Sequence, residues 1–245
     1  MSISINVFLQ HEDKQQVQQL LAVYNQAKTK YEEQSSDLEK NPLVILEGLD
    51  GSGKTSMTKQ LAKKFKAEKR CTPPESIRDL RDYFDKELTL RPAYYSLGNY
   101  IAALEILCVL PENAVVMDRY WHSTTAYALA QGVADRPSEL ELPNPSDEIY
   151  KWPDDLLKPD KVIFLNVSEE MRLERHSRRA AALVTTQENL LKDNVKFRGD
   201  VIQAYKNMRE PAVTIINGDG SFGVTLFKLK NNLKSLLEKN VSGDV

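Results

Sequence analysis

The sequence predicts an α/β protein in which a parallel sheet carries helices on both faces. Two observations indicate this class: short apolar runs typical of buried strands recur along the chain, and longer amphipathic segments typical of helices separate them. Parallel strands are joined by such helical crossovers, which then cover the sheet. A third observation is a glycine-rich loop directly after the first apolar run, which predicts a binding site at the end of that strand.

The first predicted element is a polar helix over residues 12–39. Its apolar residues fall on one side, where they would pack against the rest of the protein or, alternatively, against a partner. Asn41-Pro42 ends this segment. We therefore expect an N-terminal helical extension over residues 1–41 and a main domain over residues 42–240. The apolar side consists of Val17, Leu20, Leu21, Tyr24, Ala27 and Tyr31.

The glycine-rich segment has the Gly-x-x-x-x-Gly-Lys-Thr spacing of a phosphate-binding loop. A chance glycine turn would lack the flanking strand at 43–46 and the amphipathic helix at 59–66. Backbone N–H groups of the loop and of the first helical turn would face the phosphates. Lys54 would reach the outer phosphates, and the Thr55 hydroxyl would ligate magnesium. The predicted nucleotide-binding residues are Gly48, Leu49, Asp50, Gly51, Ser52, Gly53, Lys54, Thr55 and Ser56.

The later elements keep the alternation of strand and helix. Ser168 caps a helix that begins with Glu169-Glu170, since acidic residues are favourable at a helix N-terminus. Thr185 and Glu188 form a capping box for a further helix. The other predicted strands lie at 70–72, 114–118, 162–167 and 212–216, and the other predicted helices at 94–110 and 224–237.

The strand at 114–118 ends in Asp118-Arg119. The chain lacks the Asn-Lys-x-Asp signature of GTPases, and a motor-type ATPase would usually end this strand in Asp-Glu. Asp118 could orient magnesium or its waters, while Arg119 could grip an acceptor phosphate through its bidentate fork. The pair therefore favours a small-molecule kinase, with a salt bridge at the strand end as the alternative.

A basic segment follows in RLERHSRRAA at 172–181. It could be a solvated helix end, yet phosphoryl transfer needs cations around the migrating group. We predict a basic lid over about 172–192 in which Arg175, Arg178 and Arg179 act catalytically. If the acceptor is a phosphate, no general base is needed, whereas a nucleoside hydroxyl would require a carboxylate.

Bulk composition excludes several classes of protein. The formal net charge of −2 over 245 residues indicates neither nucleic acid nor an anionic membrane as a partner, and no apolar run is long enough to span a bilayer. Cys71 and Cys108 lack metal-ligand spacing and suit a reducing compartment. The N-terminus shows no evident targeting signal, so the sequence favours the cytoplasm. A homodimer is one assembly compatible with these properties.

Four segments are distinctive along the chain: VILEGLDGSGKTS, YYSLGNYIAALEI, VVMDRYWHSTTAYA and WPDDLLKPDKVIFLNVSEEMRLERHSRR. In order and spacing they resemble the thymidylate kinase family, and within it the mitochondrial-type UMP–CMP kinases. The resemblance covers roughly residues 42–240. It implies a P-loop kinase of the nucleoside monophosphate kinase type, a five-stranded parallel sheet, Mg-ATP as donor, a pyrimidine monophosphate as acceptor and a mitochondrial location as an alternative.

The resemblance also implies roles for individual residues. Lys54 and Thr55 would serve ATP and magnesium, and Arg119 would bind the acceptor phosphate. Tyr95 falls where thymidylate kinases place a base-stacking phenylalanine, although core packing is an alternative. Asp50 would contact the acceptor sugar or the amides of its own loop.

Two positions depart from the family pattern. Asn99 stands where many thymidylate kinases have an arginine, which favours UMP, CMP, dUMP or dCMP over dTMP because an amide can both donate and accept. Gly51 stands where some members carry an arginine, so the catalytic cations should come from the lid. Arg81 could contact the acceptor or pair with Asp82 or Asp85.

The motifs and the resemblance together predict a pyrimidine nucleoside monophosphate kinase, with a dTMP kinase or a nucleotide-gated interaction protein as alternatives.

Overall fold

A five-stranded parallel sheet forms the centre of the protein. The computed structural model describes residues 2–34, 40–177, 191 and 193–238. The strand order is β2-β3-β1-β4-β5, and all four neighbouring pairs are parallel. The predicted fold class is confirmed. The strands are β1 (Leu43–Glu47), β2 (Glu68–Cys71), β3 (Val115–Asp118), β4 (Lys161–Asn166) and β5 (Thr214–Asn217).

Helices cover the sheet on both faces. The α-helices are α1 (Ser2–Leu9), α2 (Gln15–Glu32), α3 (Lys54–Phe65), α4 (Arg81–Phe84), α5 (Arg91–Leu107), α6 (Trp121–Asp135), α7 (Glu169–Ser177), α8 (Val195–Asn207) and α9 (Phe222–Leu237), and 3₁₀ helices occur at Glu75–Leu80 and Glu148–Tyr150. The predicted helix at 94–110 begins three residues earlier, and the predicted 59–66 helix begins directly at Lys54. The predicted capping box at Thr185 and Glu188 lies outside the described residues.

Strand β1 lies in the middle of the sheet and is completely buried, which explains its continuous apolar run. Val44 and Leu46 pack with α3 and α9, whereas Leu43 and Ile45 pack with α5. Alternate side chains of β1 therefore enter cores on opposite faces of the sheet.

The end of β1 lies beside the ends of both neighbouring strands. Leu46 is in register with Asp118 of β3, and Glu47 with Phe164 of β4. In open parallel sheets, ligands bind beyond the carboxyl ends of the strands. This topology brings Asp118 and Arg119 to the edge at which the glycine-rich loop begins.

The N-terminal helices pack against α5. Val17, Leu20 and Tyr24 of α2 share a buried apolar cluster with Leu97 and Ile101. Within the predicted range 12–39, the described helix extends from Gln15 to Glu32, and residues 35–39 lie outside the described residues. Helix α1, which precedes it, was not predicted. The division of the chain at residue 41 stays a prediction. Within the described part of the chain, no helix is both long and apolar enough to cross a membrane.

Candidate active site

The loop between β1 and α3 turns on three glycines. Gly48, Gly51 and Gly53 have φ angles of 143°, 84° and 91°, which residues other than glycine rarely adopt. A Cβ on Gly48 would lie 2.7 Å from the carbonyl oxygen of Leu165, so a side chain cannot be accommodated there without a backbone shift. Because α3 begins at Lys54, the helix N-terminus follows the loop directly, as a phosphate site requires.

Lys54 is the buried cation of the loop. The residue is only 6% exposed, and its Nζ donates a hydrogen bond to the carbonyl oxygen of Leu49 at 2.8 Å. Burial and the nearby Arg119 lower the pKa of Lys54 to about 8, against the opposing effect of Asp50 and Asp118. The position and charge of Lys54 suit the neutralisation of a bound anion.

A hydroxyl and a carboxylate meet where α3 and β3 adjoin. The Thr55 Oγ1 donates to Asp118 Oδ2 at 2.5 Å. The other carboxylate oxygen, Asp118 Oδ1, is buried and accepts no hydrogen bond from the described residues. Hard oxygen donors of this kind suit Mg²⁺. The described residues contain no group of three or more His, Cys, Asp or Glu side chains that could hold a metal, so phosphate and water oxygens would have to complete the coordination.

Arg119 follows β3 in a left-handed backbone conformation, with φ at 67°. Its guanidinium forms an ion pair with Asp50, donates from Nη1 to Ser123 Oγ at 3.0 Å and lies 5.4 Å from the ring centre of Tyr127. Burial opposes ionisation of Asp50, but Arg119 and Lys54 prevail and hold the pKa of that carboxyl well below its usual range. Arg119 is therefore a fixed cation at the edge of the loop.

One pocket joins the loop to Arg119. Seven of the predicted site residues line it, together with two residues from the end of β2 that were not predicted, Cys71 and Thr72. The sequence gives little indication that a residue at the end of a short, half-buried strand lines a pocket, although the strand itself was predicted. The seven predicted residues are Asp50, Gly51, Gly53, Lys54, Thr55, Asp118 and Arg119.

Tyr95 lies on α5 in a polar cluster. Its hydroxyl donates to Asp85 Oδ1 at 2.8 Å and accepts from Arg81 Nε at 3.2 Å. Arg91 lies 5.9 Å from the centre of its ring. Arg81 also pairs with Asp85 at 3.3 Å, as one of the sequence alternatives predicted. Tyr95 is held by its hydroxyl and is not among the residues that line the pocket.

Asn99, one turn further along α5, is only 1% exposed. Its Nδ2 donates to Thr124 Oγ1 at 3.0 Å, whereas its Oδ1 is buried and accepts no hydrogen bond from the described residues. Thr124 follows Ser123, the partner of Arg119. Two adjacent residues of α6 therefore contact the two predicted acceptor-binding side chains: Ser123 contacts Arg119, and Thr124 contacts Asn99.

Two arginines of α7 hold the backbone of the loop. Arg172, only 2% exposed, donates from Nε to the carbonyl oxygen of Asp50 at 2.7 Å. Arg175 donates to the carbonyl oxygens of Ser52 at 2.8 Å and Gly218 at 2.9 Å. Arg172 was seen in the sequence only as part of the basic run, because helical spacing does not reveal which arginine is buried. The predicted Arg178 and Arg179 lie outside the described residues.

The parallel sheet and the glycine-rich loop that follows β1 define a protein of the P-loop class. The sequence profile of the thymidylate kinase family matches residues 46–221. The chain belongs to the thymidylate kinase family, as predicted, and the named relatives are nucleotide kinases, a class of phosphotransferase.

Two relatives illustrate the range of the family. Human mitochondrial UMP-CMP kinase 2 is 41% identical over 180 residues, which cover 73% of this chain and 39% of the human protein. The chain thus spans about two fifths of that relative's length. A probable thymidylate kinase from Methanococcus vannielii is 27% identical and is matched over 79% of its length by 69% of this chain.

Solved structures agree with the fold. The thymidylate kinase of Candida albicans has a TM-score of 0.56 at 22% identity, over 82% of this chain and 92% of its own. The deoxyadenosine kinase of M. mycoides with bound dATP has a TM-score of 0.54 at 18% identity, over 78% and 99%. These likenesses confirm the predicted P-loop kinase architecture.

Proposed function

We propose that this protein transfers the γ-phosphoryl group of ATP to the phosphate of a pyrimidine nucleoside monophosphate. The observation that carries the proposal is the single pocket lined both by the glycine-rich loop and by Arg119 with its partner Asp50. A site for two phosphorylated substrates needs cations at both ends of the transferred group.

In this reaction an oxygen of the acceptor phosphate attacks the γ-phosphorus of ATP. The bond between that phosphorus and the β–γ bridging oxygen breaks, so the products are ADP and a nucleoside diphosphate. The loop amides and Lys54 bind the donor phosphates, and Arg119 orients the acceptor phosphate. Asp50 contacts the acceptor sugar or the amides of its own loop. The acceptor is already anionic, so no side chain has to remove a proton.

Magnesium fits one corner of this pocket. Thr55 and Asp118 would hold the ion, directly or through its waters, and the buried Asp118 Oδ1 supplies an acceptor that the described residues leave unused. The ion would neutralise charge on the donor phosphates. Chelation should therefore abolish turnover, and added Mg²⁺ should restore it.

The acceptor we favour is UMP, CMP, dUMP or dCMP. Tyr95 would stack on the base, and Asn99 would read its edge through the carbonyl oxygen that no described residue occupies. The 41% identity to a human protein named UMP-CMP kinase supports this group. The alternative is dTMP, because other relatives are named thymidylate kinases.

The direct experiment measures diphosphate formation from Mg-ATP with dTMP, dUMP, dCMP, UMP and CMP in separate reactions. We expect turnover with the uracil or cytosine nucleotides in preference to dTMP. A strong preference for dTMP would replace the acceptor assignment by the thymidylate alternative. If no acceptor is phosphorylated while ATP still binds, the nucleotide-gated interaction protein becomes the better description.

Cations of the lid complete the proposed machinery. Arg175, Arg178 and Arg179 would surround the migrating phosphoryl group, since Gly51 leaves the loop without an arginine of its own. Replacing Arg178 and Arg179 together by alanine should lower kcat by roughly 10²-fold. Little change in kcat would remove the lid from the mechanism.

Two further properties belong to this proposal. The name of the human relative suggests a mitochondrial location for this chain too, which imaging of the tagged protein beside a mitochondrial marker would test against the cytoplasm.

A homodimer is the assembly we propose, and light scattering across a range of protein concentrations would reveal a monomer instead.

A further inference from the structure

A buried carboxylate lies at the junction of β1 and the glycine-rich loop. Glu47 is the last residue of β1, directly precedes Gly48 and is completely inaccessible to solvent. Its Oε1 accepts from the backbone N–H groups of Tyr120 at 2.9 Å and Ser123 at 3.2 Å. Its Oε2 accepts from the hydroxyls of Ser123 at 2.5 Å and Tyr205 at 2.9 Å. Glu47 thus joins the loop to the first turn of α6 and to α8.

The direction of these hydrogen bonds matters for Arg119. A carboxylate only accepts, so the Ser123 hydroxyl is the donor in its contact with Glu47 Oε2. The Tyr205 hydroxyl, 2.8 Å from Ser123 Oγ, donates to the same carboxylate oxygen. The lone pairs of Ser123 Oγ are then free to accept from Arg119 Nη1, which lies 3.0 Å away. An arginine only donates, so a Ser123 hydroxyl turned the other way would present a proton to a cation.

The backbone at Arg119 needs such support. Its φ of 67° is unusual for a residue with a long side chain, and its N–H donates to Leu46, the neighbour of Glu47. Uncommon conformations persist where surrounding contacts determine them. The contacts of Glu47 with Tyr120 and Ser123 fix the chain directly after Arg119.

We propose that Glu47 is a positioning residue that orients Arg119 through Ser123, and so couples the donor loop to the binding of the acceptor phosphate. This inference rests on the proposed function, because it assigns a support to the cation that would hold the acceptor. Glu47 itself touches neither substrate.

The ionised form of Glu47 is the one that fits these contacts. Burial raises the pKa of Glu47, while Arg119, the Ser123 hydroxyl, the Tyr120 N–H and the Tyr205 hydroxyl oppose that shift. Its four partners are two backbone N–H groups, which only donate, and two hydroxyls, which can donate. Replacement by glutamine keeps the shape but offers Ser123 an N–H donor, which permits its hydroxyl to turn toward Arg119.

The test compares Glu47→Gln with the wild type by acceptor KM and by calorimetric binding of a nonhydrolysable ATP analogue. We expect the acceptor KM to rise at least about tenfold, as for loss of one well-oriented charged hydrogen bond, while the Kd of the ATP analogue changes by less than about threefold. A purely structural role for Glu47 would weaken both together, because the loop follows it directly.

A matched pair of tyrosines provides the control. Tyr205 and Tyr150 are both fully buried in the same apolar cluster, but the Tyr150 hydroxyl donates to the carbonyl oxygen of Pro143 at 3.1 Å. Tyr205→Phe should raise the acceptor KM in the same direction as Glu47→Gln, whereas Tyr150→Phe should leave it within about twofold.

The outcomes separate this inference from the proposed function. If the wild-type protein phosphorylates no nucleoside monophosphate, the proposed function is wrong. If the wild type is active and Glu47→Gln keeps the wild-type acceptor KM, or loses ATP affinity to the same extent, the positioning role is wrong while the kinase assignment stands. Should Glu47→Gln fail to fold, the difference between Tyr205→Phe and Tyr150→Phe decides in the same way.

Discussion

Replacement of Arg172 by methionine tests whether α7 holds the phosphate-binding loop. Methionine fills much of the same volume but cannot donate to the carbonyl oxygen of Asp50, which Arg172 contacts at 2.7 Å. A hydrogen bond from a charged donor contributes about 1.5–3 kcal/mol. The ion pair with Glu169 adds less, because Glu169 is 28% exposed and keeps Arg198 as a partner at 3.4 Å. We expect the free energy of unfolding to fall by about 2–3 kcal/mol.

The same substitution should weaken ATP binding. Once the carbonyl of Asp50 loses its donor, the peptide group between Asp50 and Gly51 is free to reorient, and the loop must be ordered again when phosphates bind. We expect the Kd for ATP to rise by roughly tenfold, equivalent to about 1.4 kcal/mol. Urea unfolding and calorimetric ATP titration measure the two effects separately.

Arg209→Met is the matched control for Arg172→Met. Arg209 also donates to backbone carbonyl oxygens, those of Ser146 at 3.1 Å and Asp147 at 2.7 Å, but it is not among the residues that line the pocket. This variant should lose some stability and keep its ATP affinity. If Arg172→Met binds ATP as the wild type does, or if Arg209→Met loses affinity equally, α7 does not hold the loop.

Three further predictions concern the loop and a buried histidine. Gly48→Ala should destabilise the fold by at least about 1–3 kcal/mol in urea unfolding, because its φ is 143° and the new Cβ meets a backbone oxygen. The control Gly199→Ala in α8 has open space around the new Cβ and should stabilise the fold by up to about 1 kcal/mol. Equal effects of the two substitutions would contradict the strained geometry of Gly48. Lys54→Ala should lower kcat at least ~10²-fold with little change in melting temperature, and retained turnover would exclude Lys54 from catalysis. Burial lowers the pKa of His122 to about 4, so the unfolded chain takes up a proton at a higher pH than the folded protein does. Between pH 7 and pH 5 the free energy of unfolding of the wild type should therefore fall by about 2 kcal/mol more than that of His122→Gln. Equal losses in the two proteins would contradict this pKa.

The sequence predicted the sheet and the glycine-rich loop because both depend on local signals. An apolar run followed by glycines at fixed spacing determines its own strand, turn and helix N-terminus, and the φ angles of Gly48, Gly51 and Gly53 agree with that pattern. Asp118 and Arg119 were predictable for a related reason, since parallel strands that end at one edge bring their last residues together.

The contacts that organise the site depend on distant parts of the chain. Glu47 accepts from Tyr205, which follows it by 158 positions, and Arg172 donates to Asp50 across 122 positions. A glutamate at the end of an apolar run and an arginine within a basic run have the same sequence signature whether they are buried or exposed. Only the packing of α6, α7 and α8 around the loop determines which charged side chains are buried and must form hydrogen bonds or ion pairs.

The loop is held through its carbonyl groups, and this explains how it can present its amides. Arg172 and Arg175 bind the carbonyl oxygens of Asp50 and Ser52, and Lys54 binds that of Leu49. Each peptide group has its N–H opposite its C=O, so cations that hold the carbonyls on one side leave the amides free to face an anion on the other. In the proposed reaction, α7 would therefore support the binding of the donor phosphates indirectly, through the contacts that Arg172 and Arg175 make with the loop backbone.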